Sequence, residues 1–208
     1  MKRLLSLYLA LLVFACAPKT EPESNDNTSD APPAPSLQQA WASDTLLRSP
    51  ESVLYDPAQD ILYVANINEN PWGMDGDGFI STMDLDGNIL ELNWLDGLNG
   101  PKGMGIIDRK LYVADIDAIV EIDIEEAKIV QRIALEGTPT LNDITVYDGR
   151  LFVSGSDSNK VFELKDGVLS VILEGDLGRP NGLFAEADRL LEPRDLLLRE
   201  VRLQELSG

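Results

Sequence analysis

Histidine is absent from this 208-residue chain. That absence removes a Ser-His-Asp triad, a Cys-His pair and any histidine-ligated zinc, leaving carboxylates, amides and a bound hard cation as the available chemistry. Cysteine occurs once, at Cys16. No disulfide therefore staples the fold even in an oxidising compartment, and stability has to come from packing, with or without a metal. Basic residues are scarce, with 17 Lys and Arg against 36 Asp and Glu and a net charge of -19. Nucleic-acid binding needs a clustered basic footprint, which is not found, so nucleic acid is excluded as a partner. An acidic surface instead favours solubility, cations or basic partners. Many of the acids also build turns, as in Asp86-Gly87, Asp148-Gly149 and Asp166-Gly167. Long apolar runs are missing too. Leu4 to Phe14 is the apolar stretch at the N-terminus, and it falls short of the ~20 residues that span a bilayer.

That short run reads as the core of a signal peptide, because Lys2 and Arg3 give it a basic start. Val13-Phe14-Ala15-Cys16 then resembles a bacterial lipobox, with Phe14 where a small residue is usual. Residues 1–16 are expected to be a lipoprotein signal peptide with its lipobox cysteine, and Cys16 to be lipidated. The expected location is the bacterial cell envelope, attached to the membrane by the lipid. Ala17, rather than Asp, follows the cysteine and directs the protein to the outer membrane, facing the periplasm or the surface. Cleavage nearby and free secretion is the alternative. Residues 17–40 are rich in Pro, Ser, Thr, Asn and acids, have almost nothing to bury, and are expected to be a disordered tether.

From Ser49 onward the chain repeats itself. SPESVLYDPAQDILYVAN from Ser49, GPKGMGIIDRKLYVAD from Gly100, TLNDITVYDGRLFVSG from Thr140 and RPNGLFAEADRLL from Arg179 share a polar start, a strand, a turn and a second strand. Tyr63, Tyr112, Phe152 and Leu191 mark the period, 49, 40 and 39 residues apart by difference of their numbers. A period near ~40 is that of a propeller blade. Further strands, Gly78 to Asp84 with Ile89 to Leu92, Ile119 to Asp123 with Ile129 to Ile133, and Lys160 to Leu164 with Leu169 to Leu173, bring each of the first three repeats to four antiparallel strands. The expected fold is all-β: a partial propeller of six-bladed type over residues 41–191, with about three and a half to four blades present. After Leu191 the chain reads EPRDLLLREVRLQELSG, whose composition is helical. Residues 192–208 are accordingly expected to be an atypical helical tail, explained by a frameshift or truncation or by a purpose-built cap.

Repeat-equivalent positions in a propeller fall on a ring around its channel. The polar residues opening the four inner strands are Glu51, Lys102, Asn142 and Asn181. One carboxylate and two amides supply oxygen ligands of the kind a hard divalent cation takes, with water completing the set; turn geometry is the competing explanation for Asn142 and Asn181. Lys102 offers a different partner for Glu51, as an ion pair. The longer first repeat carries NINENPWGMDGDG at 66–78, which lacks the later ligands of an EF-hand loop and is expected to wall the binding face or cap a blade through Trp72.

On PESVLYDP, LNDITVYDGRLFVS and RPNGLF the chain resembles the gluconolactonase and senescence-marker-protein (regucalcin-like) family of six-bladed propellers, over roughly residues 49–190. The resemblance implies that Glu51 and Asn181 are ligands of a divalent cation (calcium, zinc or manganese), and that Asn142 contacts substrate. It implies metal-assisted hydrolysis of a lactone or similar ester for the family. Its catalytic Asp would lie beyond residue 191, so no catalytic residue is assigned here, and Ser52 stands where the family more usually has Gly. A non-catalytic propeller that binds a small molecule or a protein is the alternative, favoured for this chain.

Overall fold

The computed structural model describes residues 36–137, 139–194 and 197–203. The signal peptide, Cys16 and residues 17–35 of the tether, together with residues 204–208, lie outside them. The chain divides into two units, Met1–Gln38 and Gln39–Gly208; of the first only 36–38 are described, without regular structure. No helix among the described residues is long and apolar enough to cross a membrane.

The second unit is all-β. Blade 1 contains β1 (Pro50–Asp56), β2 (Ile61–Asn66), β3 (Gly78–Met83) and β4 (Ile89–Leu98). Blade 2 contains β5 (Pro101–Ile107), β6 (Lys110–Asp115), β7 (Ala118–Asp123) and β8 (Lys128–Ala134). β9 (Leu141–Tyr147), β10 (Arg150–Gly155), β11 (Lys160–Lys165) and β12 (Val168–Glu174) form blade 3. β13 (Phe184–Glu186), β14 (Arg189–Arg194) and β15 (Leu197–Arg202) form blade 4. Within each blade, strands pair antiparallel in sequence order, as short hairpins require. The turns follow from their residues. Asp148-Gly149 and Asp166-Gly167 have both φ angles positive, at 50° and 69° and at 49° and 76°, the combination of a type I′ hairpin turn that Asp-Gly favours.

The repeat has a structural signature at its start. Ser49, Thr140 and Arg179, each just ahead of the chain's run into an inner strand, hold φ at 46°, 45° and 61°; the fourth such position is Gly100. Inner strands β1, β5, β9 and β13 then lie side by side, each against the next. A single blade cannot bury its own faces. The apolar cores accordingly sit at the junctions. Tyr63, Ile80 and Leu98 of blade 1 meet Met104, Leu111 and Ile122 of blade 2; Ala114 and Ile119 meet Ile144, Leu151 and Val153; Phe152 and Val161 meet Leu183, Ala185 and Leu190. Polar ties reinforce them. Ser52 Oγ donates to the Lys102 carbonyl at 2.6 Å, Ser156 Oγ to the Pro180 carbonyl at 2.7 Å, and Arg109 reaches Asp56 at 3.2 Å.

Blade 4 corrects the expectation of a helical tail from residue 192. β14 runs through Glu192 and Pro193, and β15 pairs with it from Arg189↔Arg202 to Arg194↔Leu197. Leu, Arg and Glu favour helix in isolation, but propensity is a weak prior when a strand edge stands open beside the segment. β15 has its own alternation, with Val201 half-buried and Leu203 buried while Leu198, Glu200 and Arg202 point outward. Arg189 to Glu200 at 3.3 Å and Arg202 to Asp188 at 3.4 Å hold the register. Pro193 is tolerated because β13 pairs only as far as Leu191, so no neighbour on that side asks for its missing N–H.

Gly103 marks the closest approach of two inner strands. A Cβ there would fall inside contact distance of Asp143 Oδ1 and the Ile144 amide nitrogen. Gly103→Ala is therefore expected to destabilise the fold by about 1–3 kcal/mol, read as a lower melting temperature by calorimetry; an unchanged melt would mean that β5 and β9 are not held this close.

Candidate functional site

The side-by-side inner strands bring the four repeat-equivalent residues to one end of the arc, where the strands begin. Two of them are buried, Lys102 and Asn142; Glu51 and Asn181 are exposed. Charge interaction links Glu51 to both Lys102 and Asp143, and Lys102 also to Asp115. The cluster is thus one cation among three carboxylates.

Of the two alternatives for Lys102, a direct ion pair with Glu51 is not formed, although the two interact by charge. Its Nζ donates to the Pro71 carbonyl at 2.8 Å and the Gly100 carbonyl at 2.9 Å, and lies 4.3 Å from the centre of the Trp72 ring. Dipoles and a π face thus replace a counter-ion. The 66–78 loop is therefore part of this end of the arc, and Trp72 is its contribution. Burial lowers the Lys102 pKa from its ordinary value, opposed by Glu51 and Asp115.

The neighbouring acids are already occupied. Asp115 accepts the Asn99 and Gly100 amides, each at 2.8 Å, and Arg132 Nη1 at 2.9 Å; burial nevertheless raises its pKa. Asp143 Oδ2 accepts the Leu183 amide at 2.7 Å and Oδ1 the Ile144 amide at 2.9 Å. Burial raises its pKa as well, against those two hydrogen bonds. Asp143 is therefore a rivet between blades 3 and 4. Its signal in the sequence was available: across the repeats the position after the mouth residue reads Ser52, Gly103, Asp143 and Gly182, and only one of these is an acid.

Glu51, Asn142 and Asn181 differ from these groups. Among the described residues none of their side chains makes a hydrogen bond or ion pair, although the Asn181 main-chain carbonyl accepts Ser154 Oγ. Burial raises the Glu51 pKa, offset in part by Lys102 and reinforced by Asp143. Among the described residues no group of three or more Cys, Asp or Glu side chains is arranged to hold a metal ion. A cation at this end would thus rest on one carboxylate, amide oxygens and water, a donor set compatible with a hard divalent ion.

Four blade-like sheets packed face to face through inter-blade cores make this a β-propeller arc. No family model matches the chain, and no curated protein matches it. Among solved structures it is similar to the computationally designed Ika4 protein, at 11% identity and a TM-score of 0.54, over 80% of this chain and 99% of that one. It is similar to streptogramin B lyase at 11% identity and a TM-score of 0.51, over 74% of this chain and 55% of that one. PorZ, a bacterial surface component of the type-IX secretion system of Porphyromonas gingivalis, matches at 16% identity and a TM-score of 0.52, over 76% of this chain and 21% of that one.

An ionised Glu51 costs the folded state stability, because its folded pKa lies above the ordinary 4.5. Between the two values the folded chain binds more protons than the unfolded one, so stability falls as pH rises through that window. The cost is complete above the folded value and vanishes below 4.5. Glu51→Gln is expected to melt above wild type at pH 7 and to converge with it in acid; parallel melting curves across pH would remove this account.

Proposed function

We propose that this chain is a ligand-binding propeller arc held at the bacterial cell envelope by a lipid on Cys16, taking a small molecule or a group of a partner protein at Glu51, Asn142 and Asn181. One observation carries the reading: among the described residues these three side chains make no hydrogen bond or ion pair, where Lys102, Asp115 and Asp143 beside them do make hydrogen bonds. Polar groups at one end of a scaffold that cost stability and satisfy nothing within the protein are available to something outside it. Within this reading Glu51 and Asn181 are the ligands of a divalent cation, calcium, zinc or manganese, and Asn142 contacts the bound molecule. The cation would polarise a carbonyl or bridge an anionic group.

Metal-assisted hydrolysis of a lactone or similar ester is the second reading, supported by the resemblance that singles out the same residues. Binding without turnover is preferred because Asp143, the half-buried acid in charge interaction with Glu51, has both oxygens committed to backbone amides. Titration calorimetry with calcium, zinc and manganese is expected to show binding by wild type that weakens at least ~10-fold in Glu51→Gln. Equal affinity in both proteins refutes the assignment.

Anchoring is a separate matter with a separate readout. Expressed in bacteria, the wild-type protein is expected in the membrane fraction with an acyl mass that Cys16→Ser lacks; two or more chains make such anchoring stable. Wild type found wholly soluble, without that mass, overturns it.

A further inference from the structure

The two ends of the arc expose residues that every internal junction buries. At the second position of the inner strand's apolar run, Met104, Ile144 and Leu183 are 5%, 5% and 8% exposed, whereas Val53 of blade 1 is 61% exposed. Tyr55, two residues on, is 46% exposed. At the other end the third-strand position held by Ile80, Ile119 and Val161 is completely buried, while its blade 4 equivalent, Leu198, is 66% exposed. The equivalence follows from pairing: Ala65↔Ile80 in blade 1 corresponds to Pro193↔Leu198 in blade 4. Phe184, on the same outer face, is 55% exposed. Around Phe184 and Leu198 lies a shallow cavity of about 390 Å³, lined also by Leu183, Leu191 and Pro193.

The two open faces are complementary by the chain's own rule. At the junction of blades 2 and 3, a Cβ on Gly105 would stand 2.6 Å from Val146 Cγ2 and 2.9 Å from Ile144 Cγ2. Gly105 is the repeat equivalent of Phe184, Ile144 of Val53 and Val146 of Tyr55. Phe184 is thus the side chain that this junction would set against Val53 and Tyr55. Within one chain these residues do not meet, since all three are exposed.

We propose that a second copy of this chain supplies the missing neighbour: Phe184 and Leu198 of one copy seat on Val53 and Tyr55 of the other, twice over, about a two-fold axis. The contact is heterologous, so it closes only if the blade count suits a ring. The four blades of the described residues, doubled, are eight, within the usual range of about 4–8. Three copies would overshoot that range.

The full chain in a Cys16→Ser background, which removes its native thiol, tests this directly. Light scattering is expected to give a particle of two chains, and Phe184→Asp to weaken association at least ~30-fold, the effect of losing one buried aromatic anchor, with the far-ultraviolet β spectrum retained. Val53→Cys mixed with Phe184→Cys is expected to form a disulfide-linked pair on mild oxidation, while neither variant links to itself. A monomer at micromolar concentration, an open ladder of larger species, or self-linking of either single variant overturns the proposal. So does a dimer that Phe184→Asp and Leu198→Asp leave intact.

Discussion

Everything in this fold depends on the fact that a four-stranded sheet of about six residues per strand has two apolar faces and cannot cover either. Each blade becomes stable only through the next, so the apolar cores form at the junctions and the polar rivets cross them. Ser52 to the Lys102 carbonyl, Ser156 to the Pro180 carbonyl and the Leu183 amide to Asp143 all join one blade to its successor. Stability of this kind is a sum over neighbours. The end blades necessarily carry the deficit.

The site follows from the same constraint. Adjacent inner strands set the starts of successive blades beside one another, so groups far apart in sequence share an electrostatic environment, as Glu51 does with Lys102 and Asp143. The chain divides the labour there. Lys102 is held by carbonyl dipoles and Trp72, Asp115 by main-chain amides and Arg132, and Asp143 by main-chain amides, and these groups hold the framework. Glu51 is exposed and without a hydrogen bond to the described residues, and the partial burial that raises its pKa is a local cost to the folded state.

Much of this was legible in the sequence because it recurs. The strand boundaries of blades 1 to 3 follow from alternation and Asp-Gly turns, and the mouth positions follow from aligning the copies. What failed was the part with no repeat to lean on. Leu196 to Leu206 has no visible aromatic marker, so composition suggested helix, whereas the open edge of β14 and the Glu192↔Arg199 register decided for strand through Arg202. An ion pair with Glu51 is one of the alternatives that the sequence offers for Lys102, because sequence shows charges and not carbonyls. Two of its partners, Pro71 and Trp72, belong to the 66–78 loop, the insertion that lengthens the first repeat, and the third is the Gly100 carbonyl. Asp143 stands out in the sequence only as the neighbour of Asn142; the adjoining strand reveals it as a fastener.

The junctions are also unequal in thickness. Near the axis, β5 offers Gly103 and Gly105 to β9, with room for no Cβ at either place. Farther out, blade 1 fills the space with Tyr63 and Trp94, their rings 4.9 Å apart. A slab that is thin on one margin and thick on the other is a wedge, and wedges laid together turn through a fixed angle at each step. Side-chain volume therefore contributes to the curvature, beside the register shifts within the strands. Enlarging a residue at the thin margin would open the arc toward a wider circle, and trimming the ring at the thick margin would tighten it.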